Sequence, residues 1–322
     1  MAVIYHKVLL VGCGPIGKRH AECLRDIGVE NFVFFDPDPQ RSEELAQLYG
    51  GSTVSSYEEG LRTDADCVYI LSPTELHIPQ ATMAVDAGKH VFLEKPLSNK
   101  LEGVYELAEL ASRKGLVVEV GFCFRFHEGV QELKRQLELG TIGKMVSIRA
   151  MMGERFPDIR PDCLPTEDVK YSGAFELVHD LDLAIYLAGE EPLACHGCFG
   201  SFSNLGFESP DTVEMLVSFP DCIANVHLDF FQSPRTRTLT VLGGEGQMIL
   251  TFSTWDQYEL RIFTRERGLW ETITANTQRN DMFRAESLNF FAAVDGREDN
   301  LCPIHEAVKS LIVCKTINAD ES

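Results

Sequence analysis

The sequence predicts an α/β fold in two parts: a parallel sheet covered by helices on both faces, then an α+β region whose mostly antiparallel sheet is covered on one face. Three observations predict it. Short, continuous apolar runs alternate with helical patterns up to about residue 121, as a two-sided sheet requires. A glycine-rich turn joins the first such run to the first helix. Beyond Gly121 the apolar residues recur at every second position instead. At 322 residues the chain is long enough for about two domains, and its 44% hydrophobic and 24% charged residues exclude fibrous, coiled-coil and disordered classes.

Six strands are expected in the first part: Lys7 to Val11, Asn31 to Phe35, Ser52 to Val54, Cys67 to Leu71, His90 to Leu93 and Leu116 to Val120. The first helix carries Ile16, His20, Cys23, Leu24 and Ile27 at helical spacing, with Pro15 suited to its start and Gly28 to its stop. Arg41 to Tyr49 and Leu101 to Lys114 repeat that pattern. In the second part a helix near Gly129 to Glu138 leads to a strand at Met145 to Ala150. Val213, Met215 and Val217, then Val226, Leu228 and Phe230, mark two further strands with one apolar face each. A long helix is expected over Gly173 to Leu187, and closing helices near Ala285 to Val294 and Ile304 to Ile317. The domains are expected to join abruptly near Gly121, as 1–121 and 122–322, with no repeat and no flexible linker.

With 29 Lys plus Arg against 49 Asp plus Glu, the net charge is −20, which opposes nucleic acid or an anionic membrane as partner. A phosphate group must then be held by local geometry. The apolar stretches are strand-sized and the start of the chain runs directly into a strand, so a cytoplasmic protein is expected. Ten scattered cysteines argue for reduced, mostly buried thiols. Cys195-His196-Gly197-Cys198 offers zinc-type ligands, but no second pair follows and a strand would turn the two thiols to opposite faces. Buried structural cysteines and no metal are expected there.

Gly12-Cys13-Gly14-Pro15-Ile16-Gly17 lies between the first strand and first helix, where a dinucleotide fingerprint belongs. Gly12 permits the tight turn, Gly14 leaves room for a pyrophosphate against the backbone, and Gly17 lets helix and strand pack closely. The helix start supplies unpaired N–H donors and the positive dipole end. The competing reading is a glycine turn with no ligand, with Cys13 a spectator thiol in either case. Asp36 ends the second strand 24 positions beyond Gly12, where a carboxylate would accept from an adenosine ribose diol and repel a 2′-phosphate. NAD is therefore favoured, with NADP left open by Arg41 nearby; alternatively, Asp36 merely caps its turn.

Ser72-Pro73-Thr74 and Glu94-Lys95-Pro96 directly follow the fourth and fifth strands, at the carboxyl edge where open α/β sheets take ligands. A partly desolvated Lys95 beside a cofactor exchanges protons with a substrate oxygen; otherwise it is a solvated loop charge. On the predicted long helix, Glu176 and His179 are three residues apart and face one side. Histidine as a residue type titrates near neutrality, so His179 suits the proton that leaves an alcohol as hydride departs; the alternative is one histidine on a polar face.

Taken in order, these motifs resemble the Gfo/Idh/MocA family of glucose-fructose oxidoreductase and inositol dehydrogenase. The matching succession is Gly12 to Gly17, Ser72-Pro73-Thr74 with His77, Glu94-Lys95-Pro96, Gly121 with Arg125-Phe126, and Ser172-Gly173 leading to His179-Asp180-Leu181-Asp182. The resemblance implies an N-terminal Rossmann domain with a C-terminal α+β domain whose open-faced sheet receives substrate and another subunit. It implies an NAD(P)-dependent dehydrogenase of CH–OH groups on a sugar, sugar nucleotide or cyclitol, forming a homodimer or homotetramer. Cofactor contacts carried over are Gly12, Gly14, Pro15, Ile16, Asp36, Ser72, Thr74, His77, Glu94 and Lys95. Lys95 and His179 are the catalytic pair, and Arg125, Tyr171, Glu176 and His179 the substrate contacts. The chain departs from many members in having Phe175 where an Asp precedes the histidine by four; its acid is Glu176, as in a subset that also shows features like Asp229-Phe230-Phe231-Gln232, Arg235 and Arg237. A noncatalytic NAD or sugar sensor and an NAD-dependent glycosidase are the alternative readings on the same scaffold.

Overall fold

The structure is a computed structural model that describes residues 4–159, 173–207, 209–254 and 256–320. Its first sheet has six parallel strands in the order β3-β2-β1-β4-β5-β6. They are β1 (Ile4–Val11), β2 (Val29–Phe35), β3 (Ser52–Thr53), β4 (Cys67–Ile70), β5 (His90–Glu94) and β6 (Val118–Gly121). All six expected strands are present, within two or three residues at their ends. Two-sided burial is why they read as unbroken apolar runs: every residue of β4 is buried.

Local chemistry sets the helix ends. Helix α1 (Pro15–Asp26) begins on Gly14, with Pro15 at its first position. Helix α2 (Pro39–Tyr49) is capped by the Asp38 carboxylate, which accepts from the Gln40 N–H at 3.0 Å. The Val104–Lys114 helix stops at Gly115, whose φ of +65° is left-handed.

Beside the expected cut near Gly121, a late segment of the chain joins the first unit. The first compact unit comprises Met1–Cys123 together with Asn280–Leu311; the second comprises Phe124–Arg279 and Ile312–Ser322. The physical reason is aromatic packing. Tyr69 and Phe92 stack with centroids 4.6 Å apart, and Phe290, from the Arg279–Val294 helix, meets both edge-on at 5.5 and 5.9 Å. Phe291 joins the same buried cluster. Each ring so buried contributes about 1.5–3 kcal/mol, so this late helix completes the first core.

In the second unit eight strands follow the order β14-β13-β12-β11-β7-β10-β9-β8. They are β7 (Met145–Gly153), β8 (Ala194–Gly200), β9 (Thr212–Ser218), β10 (Ile223–Asp229), β11 (Thr236–Gly243), β12 (Gly246–Phe252), β13 (Gln257–Thr264) and β14 (Trp270–Asn276). Among its described residues only β7 and β10 pair in parallel. Ala224, Val226 and Leu228 on β10 and Leu239 and Val241 on β11 are buried while Ile223, Asn225, His227, Thr238, Thr240 and Leu242 are not, which is the alternation expected of a sheet covered on one face.

Two further expectations change here. The predicted helix over Gly173 to Leu187 is a 3₁₀ turn, Gly173–Leu177, followed by a separate α-helix, His179–Ala188. Gly173 has φ +56°, and a side chain there would meet the Pro210 carbonyl oxygen at 2.1 Å, so the chain tightens against Pro210 before the α-helix starts. Cys195 and Cys198 were expected to be buried; β8 is an edge strand, and they are half-buried and exposed. Among the described residues no helix is long and apolar enough to cross a membrane.

Candidate functional site

In the first unit the glycine turn carries out three separate tasks. Gly12 has φ +96°, and a Cβ there would lie 2.6 Å from the Leu71 carbonyl oxygen. A Cβ at Gly17 would lie 2.0 Å from the Gly12 carbonyl oxygen, so helix α1 crosses β1 only because residue 17 has no side chain. At Gly14 nothing of the chain lies within 4 Å of the missing Cβ. The turn is therefore closed at Gly12 and Gly17 and open at Gly14, where the α1 N–H groups emerge with no side chain capping them. Pro15 is exposed and Ile16 half-buried at that start.

Asp36, at the end of β2, points back at the turn. Its Oδ2 accepts from the Cys13 N–H at 2.7 Å and its Oδ1 from the Asp38 N–H at 2.9 Å. The carboxylate is thus fixed beside the glycines, each oxygen retaining a lone pair for a ribose hydroxyl. Arg41 lies 3.5 Å from Asp38 in an exposed pair. Burial, reinforced by the Asp36 charge, pushes the Cys13 thiol up to about 12, so it stays protonated beside the turn.

The loops after β4 and β5 are tied together from within. His77 is buried, with Nδ1 2.9 Å from the Pro96 carbonyl oxygen and Nε2 2.9 Å from that of Ser72. Ser72 donates its hydroxyl to Gln80 at 2.6 Å, and Thr74, also buried, opens a 3₁₀ turn. Glu94 is buried; its Oε1 is 3.2 Å from His20 Nε2 and its Oε2 accepts from the Lys95 N–H at 2.6 Å. Burial raises the Glu94 carboxyl, but the His20 hydrogen bond and charge, with the Lys95 ammonium and N–H, hold it below the usual carboxylate range. His77 and Glu94, expected as cofactor contacts, brace the loops they stand under through these bonds. Lys95 is half-buried, and the Lys95-Pro96 peptide is cis.

In the second unit His179 opens its α-helix and lies with its ring 5.0 Å from that of Phe124. The next acids anchor it. Asp182 receives Arg125 in a bidentate pair at 2.9 and 2.7 Å, with both side chains almost fully buried. Asp180, fully buried, accepts from Arg237 of β11 at 3.0 Å, and burial leaves its carboxyl raised despite the Arg237 charge. The Arg237 guanidinium rests 3.9 Å over the Phe124 ring. Arg125, expected as a substrate contact, tethers the His179 helix and has 1% of its surface exposed. Glu176 loses its helical alignment with His179, because it sits in the preceding 3₁₀ turn, and its charge acts on the Cys314 thiol. Tyr171 lies outside the described residues.

Sequence reasoning missed the His20–Glu94 and Arg125–Asp182 pairs as units. The only signal for the first was a histidine at an apolar helical position, and for the second two charges inside apolar runs.

A parallel six-stranded sheet with an open glycine turn and a carboxylate at the adjacent strand end defines a Rossmann-type dinucleotide-binding protein. Its residues 6–122 match the family model described as "Oxidoreductase family, NAD-binding Rossmann fold", and residues 130–249 match the "GFO/IDH/MocA C-terminal domain". The chain belongs to the Gfo/Idh/MocA oxidoreductase family. It is 29% identical over 217 residues to scyllo-inositol 2-dehydrogenase (NAD(+)) of Bacillus subtilis (strain 168), covering 65% of this chain and 62% of that relative. It is 29% identical over 191 residues to UDP-N-acetylglucosamine 3-dehydrogenase of Acidithiobacillus ferrooxidans, covering 59% and 57%. These matches span less than two thirds of either relative's length. Among solved structures, levoglucosan dehydrogenase in complex with NADH and levoglucosan superposes with a TM-score of 0.85 at 20% identity, covering 98% of each chain.

Proposed function

We propose that this chain is an NAD-dependent dehydrogenase moving hydride between the nicotinamide and a secondary alcohol or ketone of a sugar, sugar nucleotide or cyclitol. The observation that carries it is the turn open at Gly14 with Asp36 fixed beside it. Asp36 in that position favours NAD over NADP, since a carboxylate repels a 2′-phosphate. When bound, the nicotinamide supplies the hydride acceptor; the protein must supply everything else. Removing hydride from a carbinol carbon requires that the hydroxyl proton leave as well. His179 takes it, since an imidazole titrates near neutral pH, and Lys95 donates to the substrate oxygen. Glu94 serves this chemistry by holding the Lys95 backbone. The Asp180–Arg237 and Asp182–Arg125 pairs do so by anchoring the helix that His179 begins.

The names of the relatives, an inositol and a sugar-nucleotide dehydrogenase, support a polyhydroxylated substrate. The acidic chain and its reduced thiols favour a cytoplasmic location. Exposed Leu216 and Ile223, on the uncovered face of the second sheet, favour a homodimer or homotetramer. The test is reduced-nicotinamide absorbance with NAD and a panel of inositols, sugars and UDP-sugars. Growth of the signal with at least one polyol is expected. Tight NAD binding with no turnover on any of them overturns the reading.

A further inference from the structure

At the opposite edge of the first sheet, where β1 and β4 begin, lies a cluster that the dinucleotide site does not use. His6, Asp66 and Cys67 each present a ligand-type atom, all within 4.8 Å of one another. Register explains the meeting: Val8 on β1 pairs with Cys67 on β4, so His6, two residues before Val8, rises from the same face. Behind them Asp295, just beyond the Arg279–Val294 helix, holds His6 Nε2 at 2.9 Å through its Oδ1. The other nitrogen, Nδ1, faces Asp66 Oδ2.

We propose that His6 Nδ1, Asp66 and Cys67 form a binding site for a thiophilic divalent cation of the Zn2+ class, with Asp295 orienting the imidazole from behind. A carboxylate on the far nitrogen of a ligating histidine is the usual means of fixing its tautomer. Mixed nitrogen, oxygen and sulfur donors select zinc-like ions and disfavour Mg2+ and Ca2+, which want oxygen alone. The fourth position is left for water. His90, the register partner of Cys67 on β5, is not a ligand: its Nδ1 accepts from the Val117 N–H at 3.0 Å, so its remaining nitrogen carries the ring proton. Lys7 is not a competitor either, since its ammonium pairs with Asp64 while its N–H donates to Asp66 Oδ1 at 2.7 Å.

Binding breaks the S–H bond of Cys67, forms the metal–nitrogen, metal–sulfur and metal–oxygen bonds, and releases the thiol proton to solvent with no change of oxidation state.

The experiment uses the full chain stripped with a chelator and titrated with Zn2+ by calorimetry in two buffers of different ionisation heat, and with Co2+ by absorbance. Expected are one Zn2+ per chain, release of the thiol proton on binding, and a thiolate-to-cobalt band. C67A and H6Q should lose the band, and the surface change D295N should weaken Zn2+ binding roughly 10- to 100-fold. C195S/C198S should keep it. Absence of the band from the wild-type chain, its persistence in C67A, or unchanged affinity in D295N overturns the proposal; D295N decides it even where H6Q or C67A fails to fold.

Discussion

The two glycines at the start of α1 should separate binding from folding. In Gly14→Ala the new methyl meets no atom of the chain within 4 Å, and the residue's φ of −71° suits alanine. The folded state then loses only the modest preference of an N-cap for glycine, below about 1 kcal/mol. The methyl does occupy the space a pyrophosphate needs, so NAD should bind about 10- to 100-fold more weakly, or ~1.4–2.7 kcal/mol. In Gly17→Ala the methyl falls 2.0 Å from a backbone oxygen and 3.0 Å from a backbone carbon of Gly12, neither of which rotates away. Helix α1 must shift off β1, at about 3 kcal/mol or more, and the melting temperature should drop by at least ~5 °C. Circular-dichroism melting and NAD titration on both variants provide the assay. A folded Gly14→Ala protein that binds NAD within about twofold of wild type would refute the cradle. A Gly17→Ala protein melting within about 1 °C of wild type would refute the packing argument.

Other outcomes follow from the remaining geometry. Lys95→Met and His179→Ala should each lower kcat about 10²- to 10⁴-fold while NAD affinity changes by only a few-fold; unchanged turnover in both removes them from the chemistry. Arg125→Leu leaves the Asp182 carboxylate buried and unpaired, at about 3–5 kcal/mol, readable as a lowered denaturation midpoint, and a midpoint equal to wild type would show that the pair does not anchor the helix. On the uncovered face of the second sheet, hydrogen bonds that His227 donates to Asp229 and Glu214 outweigh desolvation and raise it from 6.5 to about 9. Its folded pKa exceeds the unfolded one, so its stabilisation is complete below about pH 6.5 and vanishes as pH rises through 9. The shift sets a ceiling of about 3 kcal/mol, and the ring's 24% exposure brings the expected value to ~1–2 kcal/mol. His227→Gln should therefore melt below wild type at pH 6 and together with it near pH 10; a gap that is constant with pH would exclude the titration.

The first sheet was legible because burial on both faces writes each strand as an apolar run, and the glycine turn because each of its three glycines answers a separate steric demand. The second sheet was half legible. Strands β9 and β10 alternate cleanly, but the buried Arg237 interrupts the alternation of β11, and β12 to β14 carried no expectation at all. Charge pairs such as Arg125–Asp182, 57 residues apart, leave no periodic trace. Nor does periodicity tell a helix which core to join. The Arg279–Val294 helix buries Glu286, Ser287 and Asn289 along with Phe290 and Phe291, so its sequence shows no single apolar face pointing home.

That helix has a consequence for biogenesis. During synthesis the ribosome delivers every strand of the nucleotide-binding sheet before residue 122, yet the rings that seal Tyr69 and Phe92 emerge only after about 160 more residues have been polymerised. The nascent sheet must wait, with that aromatic surface uncovered, until those residues have been made. A chaperone acting on this chain therefore has a long task on these strands.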